Sequence, residues 1–294
     1  MSVPKVSVLM TAYNREAFIA EAIESVLASS FRDFELIIVD DRSSDNTVNI
    51  ARKYEALDSR VKVFINEENL KDYPNRNRAA SLASGEYIKY LDSDDTIYPW
   101  GLEAMVRCMD AFPDAGFGLM AKNMDTDHSY PICFNGDQAY RIFFFKCALL
   151  TMGPSGSIIR RKVFEEAGGF SGKPYIGDLE MWLKLLKKYS VVAMPEHLIW
   201  WRQHEGQQYR EGHDNSFYEQ NTFNLYKQML TAPDCPMPAK DAAIALQNQY
   251  NIRSRRVVRE FLKGNVSRSL QLYRLHALTP ADILKSRKKN QVLL

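Results

Sequence analysis

The chain has 294 residues, 46% of them apolar and 25% charged, an ordinary globular composition with enough chain for a sizeable core. Its longest apolar runs, such as Val6 to Met10 and Leu36 to Val39, fall far below the roughly 20 residues that cross a bilayer. The net charge of +2 hides an asymmetry, because residues 251–294 carry eleven Lys or Arg against two acids, a net +9 that leaves −7 on residues 1–250.

Val6 to Met10 predicts a strand stopped by the polar cluster Thr11 to Arg15, and Phe18, Ile19, Ala22, Ile23 and Val26 then recur at helical spacing. Glu35 to Val39 predicts a second strand, Asp40 to Asn46 a turn and Thr47 to Leu57 a helix. Val61 to Ile65 is a third strand, Asn77 to Ser84 a short helix, and Glu86 to Leu91 a fourth strand ending in acid. Strands alternating with helices predict a mostly parallel central sheet with helices on both faces, a Rossmann-like α/β fold. A helix over 100–112 follows. Gly153 to Ser157 precedes a further strand and helix, Asp178 to Tyr189 suits an amphipathic helix, and Leu198 to Trp201 a short strand. Pro233, Pro236 and Pro238 break the chain before a basic helical tail. Met1 to Lys5 lacks the pattern of a secretory signal, so the expected location is cytoplasmic. Cys108, Cys133, Cys147 and Cys235 have neither zinc nor disulfide spacing and are expected as buried free thiols.

Open sheets of this kind bind ligands beyond the carboxyl ends of their strands, and the polar residues collect there: Thr11 to Asn14, Asp40-Asp41, and Asp92-Ser93-Asp94-Asp95. Three carboxylates within four positions repel one another unless a cation joins them. Hard oxygen donors suit Mg²⁺ or Mn²⁺, with phosphate and water completing the shell; a solvated acidic turn is the bland alternative. Asp40 and Asp41 can bind a base edge or ribose, or cap a helix. Lys71, Arg76 and Arg78 can neutralise a pyrophosphate or simply be solvated. No GxGxxG or GxxxxGK[ST] string follows a strand, which excludes the usual dinucleotide and P-loop readings. Asp178 and Glu180 open a helix, where either is a cap or a general base, with Asp178 preferred. Trp201, Arg202 and His204 close a strand as core, acceptor-pocket floor or ligand groups.

The strings Val6-Ser7-Val8-Leu9-Met10-Thr11-Ala12-Tyr13-Asn14, Ile38-Val39-Asp40-Asp41 through Thr47, and Gly85 through Asp95 resemble the successive motifs of family 2 glycosyltransferases with the GT-A fold. The resemblance covers roughly residues 4–210. It implies a GT-A domain over 1–215, with a nucleotide-binding half at about 1–95 and an acceptor-binding half at about 96–215, followed by a helical extension over 216–294. It further implies a nucleotide site lined by Thr11, Ala12, Tyr13, Arg15, Asp40, Lys71, Arg76, Asp92 and Ser93, with Asp94 of this DXD motif and His204 at a Mn²⁺ or Mg²⁺ ion. Asp178 stands where the family has an acidic pair, with Gly177 in place of a common Glu, and Asp41, Asp95, Glu180, Arg202 and Trp201 are further candidates. Asn75 and Ala79 depart from the family's usual small residue and Gly around Arg76.

The implied enzyme is an inverting hexosyl- or N-acetylhexosaminyltransferase that takes a nucleotide-diphosphate sugar, UDP-sugar favoured, to a hydroxyl of a glycan or lipid-linked acceptor in cell-surface polysaccharide biosynthesis. The competing readings are a GT-A-like binding or scaffold subunit without turnover and a sugar nucleotidyltransferase. The latter would carry a Gly- and Arg-rich loop with Lys after the first strand, which Thr11 to Arg15 lacks. In the tail, apolar and basic residues share helical faces, which suits either an anionic membrane surface, making the protein peripheral, or packing on protein; no recognised module supports nucleic-acid binding.

Overall fold

The computed structural model describes residues 3–121, 129–204, 216–286 and 290–292. Two compact units form, one from residues 1–139 and 148–204, the other from residues 140–147 and 205–294.

The first unit is built on an eight-stranded sheet whose four leading strands are parallel: β1 (Val6–Ala12), β2 (Phe34–Asp40), β3 (Val61–Ile65) and β4 (Tyr87–Tyr90). With β6 (Ala115–Met120), β7 (Ile132–Phe134), β8 (Ser157–Arg160) and β9 (Ser190–Met194), the strand order is β3-β2-β1-β4-β8-β6-β9-β7. β8 runs antiparallel to both β4 and β6, and β7 antiparallel to β9. A separate antiparallel ribbon joins β5 (Thr96–Ile97) to β10 (Ile199–Trp200).

Alternation along the strands divides the core between two faces. Val6, Val8 and Met10 of β1 join Leu36 and Ile38 of β2 in one apolar cluster with Ile19, Ala22, Ile23 and Val26 of α1 (Ile19–Leu27). Leu9, Ile37 and Val39, also fully buried, alternate with them, and α3 (Asp72–Ser81) packs against β1 and β2. The other helices of this unit are α2 (Thr47–Leu57), α4 (Gly101–Asp110), α6 (Arg161–Glu166) and α7 (Gly177–Leu185); α5 (Gly136–Arg141) runs from the first unit into the second.

α3 differs from its sequence reading, which placed a helix over 77–84. It starts at Asp72 because Pro74 falls in the first turn, where a missing backbone N–H costs nothing. Its buried face carries Asn75 and Arg76 beside Tyr73, Ala79 and Ala80. Of the four cysteines, all free, only Cys108 is buried and the others are partly exposed, so the reading of four buried thiols holds for that one alone. No helix among the described residues is long and apolar enough to cross a membrane.

The second unit holds α8 (Ser216–Thr231), α9 (Ala239–Leu262), α10 (Val266–Leu275) and α11 (Pro280–Lys285). Its core includes Val257, Leu272 and Leu278, and Phe143 and Phe144 meet Tyr226 edge-on. Buried Arg253 lies over the Phe223 ring at 4.1 Å, and buried His276 meets Glu219 at 3.0 Å.

Candidate active site

Strand register brings the chemistry-bearing residues to one end of the sheet. Ala12 pairs with Asp40 at the ends of β1 and β2, and the segment after β4 crosses the same edge, where Ser93 Oγ donates to the Thr11 carbonyl at 2.8 Å. The Asp41 amide donates to the Ala12 carbonyl at 2.7 Å.

Asp94 is the hub of this edge. Its Oδ2 lies 3.1 Å from Arg15 Nε and 3.1 Å from His204 Nε2, and its carbonyl accepts Arg202 Nε at 2.9 Å. Arg15 is itself held by its backbone N–H, which donates to Thr47 Oγ1, and by its guanidinium, which donates to the Tyr13 and Asn14 carbonyls. The His204 ring stacks on Phe18 at 4.6 Å, and Arg202 lies over Phe18 and Trp200 and pairs with Glu21.

The neighbouring acids have different fates. Asp92 forms an ion pair with Arg76 at 2.7 Å; burial pushes its pKa up, but the Arg76 charge outweighs that and holds it below the usual range. Arg76, only 8% exposed on the buried face of α3, also binds Asp72 at 2.7 Å. Asp95 is buried and accepts the Arg202 amide at 3.1 Å; burial, then the charges of Asp92 and Asp94, push it up to about 7. Beneath them the fully buried Lys89 donates to the Tyr90 and Ser155 carbonyls, and burial brings it down to about 7 against the pull of Asp92 and Asp95.

Asp178 sits at the second position of α7, inside the first turn and not at the cap, which is Ile176. Its Oδ1 accepts the Leu179 amide at 2.7 Å and faces the Tyr73 hydroxyl at 3.4 Å; its Oδ2 makes no hydrogen bond among the described residues. Burial raises its pKa to about 6, with the Leu179 amide and the Arg76 charge pulling the other way. A Cβ placed on Gly153 would stand 3.8 Å from Asp178 Oδ2, and two residues along, Ser155 Oγ accepts the Asp92 amide at 2.9 Å. The segment 153–155 therefore runs from beside the Asp178 carboxyl to the acidic end of β4, about 7 Å of chain.

The remaining candidates are engaged in other ways. Glu180 is tied to Lys173 at 2.5 Å and to Ser171, so its charge is already satisfied. Both oxygens of Asp41 organise the loop before α3, accepting Asn66 Nδ2 and the Leu70 and Lys71 amides. Asp40 is 1% exposed, with both oxygens bonded to Ser43, and burial raises its pKa. The Lys71 side chain is exposed, as are Tyr13 and Trp201. Arg76, read from sequence as lying before the helix over 77–84, falls inside α3, as Arg78 does. Tyr73 and Lys89 had no motif to mark them; an unpaired Lys inside the apolar run Tyr87 to Leu91 is the one signal that could have.

Among the described residues no group of three or more His, Cys, Asp or Glu side chains converges as a self-sufficient metal site. The oxygen of Asp94 and the nitrogen of His204 do converge. A two-donor set of this chemistry fits Mg²⁺ or Mn²⁺ that draws its remaining ligands from phosphate oxygens and water.

Comparison with known proteins bears on the family and the fold. The model of glycosyl transferase family 2 matches residues 7–168. A relative named putative teichuronic acid biosynthesis glycosyltransferase TuaG, from Bacillus subtilis, is 33% identical over 213 residues, covering 68% of this chain and 79% of the relative. A Campylobacter jejuni relative, GalNAc(5)-diNAcBac-PP-undecaprenol beta-1,3-glucosyltransferase, is 37% identical over 106 residues, covering 35% of this chain and 34% of its own length. Two solved structures share the fold: S. aureus TarS in complex with UDP-GlcNAc (TM-score 0.64, 21% identity, 84% of this chain and 72% of that one) and the mannosyltransferase PcManGT from Pyrobaculum calidifontis in complex with GDP-Man and Mn²⁺ (TM-score 0.63, 15% identity, 98% and 87%). A GT-A sheet with its acids gathered at one edge and a family match over more than half its length make this chain a member of glycosyl transferase family 2.

Proposed function

We propose that this chain is an inverting glycosyltransferase that moves a hexosyl or N-acetylhexosaminyl group from a nucleotide-diphosphate sugar, UDP-sugar favoured, to a hydroxyl of a glycan or lipid-linked acceptor in cell-surface polysaccharide assembly. The observation that carries the reading is Asp178: a partly buried carboxyl group with one oxygen unbonded, raised to about 6, beside the loop whose Ser155 binds the Asp92 amide. A base needs this combination of a free lone pair and a pKa near the working pH. Glu180, neutralised by Lys173, lacks it.

In this reading the nucleotide lies along Thr11, Ala12, Tyr13, Asp40 and Asp92, with Arg15, Lys71, Arg76 and Arg202 supplying positive charge near the diphosphate. Asp94 and His204 hold the divalent cation, which when bound neutralises charge on the departing diphosphate. Asp178 takes the proton of the acceptor hydroxyl. The acceptor oxygen bonds to the anomeric carbon as the bond from that carbon to the diphosphate oxygen breaks. The nucleoside diphosphate leaves with that electron pair, so no carboxylic acid need protonate it, unlike a glycosidase leaving group. One displacement gives one inversion. UDP-GlcNAc bound by the TarS neighbour favours uridine, GDP-Man bound by PcManGT keeps guanosine in the screen, and the teichuronic acid and undecaprenol relatives favour cell-surface acceptors. The test is nucleoside diphosphate release from sugar nucleotides with glycan and undecaprenyl-linked acceptors, with the product's anomeric configuration read by NMR. An inverted product that Asp178→Asn cannot form supports the proposal; a retained configuration ends it.

A further inference from the structure

The second unit carries a surface that the transfer chemistry does not use. α9 and α10 form a hairpin turned by Lys263, Gly264 and Asn265, with Gly264 at φ +82 where a residue with a Cβ is strained. One set of its apolar residues, Val257 and Leu272 with Tyr250 and Tyr273, makes the unit's core. A second set does the opposite. Phe261 is 58% exposed, Leu262 78%, Val266 46% and Leu270 51%, and every residue from 261 to 267 is exposed. Arg259, Lys263 and Arg268 stand within about a turn and a half of helix from Gly264. The acid beside them, Glu260, is spent on Asn265 at 2.9 Å and Lys263 at 3.6 Å.

We propose that this hairpin tip docks the protein on an anionic lipid bilayer, with Phe261, Leu262, Val266 and Leu270 entering the headgroup boundary and Arg259, Lys263 and Arg268 meeting lipid phosphates. Side chains of this size exposed at a turn lose apolar hydration on entering that boundary, and the surrounding cations gain from negative surface charge. A second copy of the chain is the poorer occupant. A two-fold interface sets the same patch against itself, bringing Arg259, Lys263 and Arg268 against their own copies. The tip's nine exposed residues, Arg259, 261–267 and Leu270, also fall short of the roughly 20–30 per side of a stable protein interface.

The test uses the full chain in co-sedimentation with vesicles of phosphatidylglycerol in phosphatidylcholine, against phosphatidylcholine alone. Preferential binding to the anionic vesicles is expected, weakening as salt screens the cations. Phe261→Ser with Leu262→Ser should lower the partition coefficient at least about tenfold, and Arg259→Gln, Lys263→Gln and Arg268→Gln together should abolish the preference for phosphatidylglycerol. All five side chains lie at or beside the surface, so unfolding is not expected; Leu262→Ser alone, at the most exposed position, is the second variant if the pair melts early. Equal binding to both vesicle types, or undiminished binding by the serine variants, overturns the proposal. A dimer in light scattering that the serine variants dissolve would overturn it too, by assigning the tip to a second copy.

Discussion

Ser155 Oγ accepts the amide of Asp92 at 2.9 Å and so fastens the loop that borders Asp178 to the strand end that carries the acidic cluster. Ser155 is 5% exposed. Ser155→Ala leaves the Asp92 N–H without that acceptor, which costs about 1–2 kcal/mol of stability. Because the loop aligns the two halves of the site, kcat should fall by about tenfold or more while the KM for sugar nucleotide changes less. Steady-state kinetics and a denaturant melt separate the two effects.

Asp178→Asn should remove transfer and at the same time stabilise the fold. The folded pKa, about 6, lies above the ordinary 3.8, so ionising the group costs folding energy. That cost is absent below pH 4, grows between 4 and 6, and stands in full at pH 7, where it reaches up to about 3 kcal/mol. Asn carries no charge and escapes it. Urea melts at pH 7 and pH 4 should show the variant's advantage only at the higher pH.

The same group sets the acid limb of activity. A base must be ionised, so kcat/KM should fall about tenfold per pH unit below roughly 6 and level off above it. Glu180→Gln should keep this profile and most of the rate, while losing about 1–3 kcal/mol as Lys173 and Ser171 lose their partner. A pH–rate series on both enzymes distinguishes them.

Glu35 gives the opposite sign. Burial pushes its pKa up, but hydrogen bonds from Lys62, Ser84 and Ser7 outweigh it and bring the group down to about 2. Its stabilisation, about 3 kcal/mol, is full above pH 4.5 and disappears as pH falls toward 2. Glu35→Gln should flatten that part of the acid-stability curve, measured by thermal melts from pH 5 downward.

Much of the sheet could be read from the chain. Val6 to Met10 and Leu36 to Val39 are apolar on both faces and end abruptly in polar residues, which is how covered parallel strands look, and the acids at 92–95 follow directly from such a run. What sequence hides is partnership at long range. His204 meets Asp94 across 110 positions and Tyr73 meets Asp178 across 105, so neither pairing has a local signal. Asp178 and Glu180 look equivalent at the head of α7, and it is Lys173 and Ser171, on the preceding loop, that satisfy Glu180 and not Asp178. The early start of α3 was hidden because Arg76 and Asn75 face inward there, breaking the apolar periodicity a helix normally shows. The antiparallel insertion of β8 beside β4 had no signature either, since its four residues, Ser157 to Arg160, are too few for a period.

In the proposed enzyme Asp94 and His204, with a divalent cation, hold the diphosphate of a sugar nucleotide at the mouth of the sheet. Thermal shift of the wild type and Asp94→Ala against UDP- and GDP-sugars, each with and without Mn²⁺, tests it most directly. At a ligand concentration one hundred times Kd, binding adds about 2.7 kcal/mol, several degrees of Tm. Such a rise is expected for at least one sugar nucleotide, dependent on Mn²⁺ and absent from Asp94→Ala; equal shifts in both proteins, or none in the wild type, would rule out this role for Asp94.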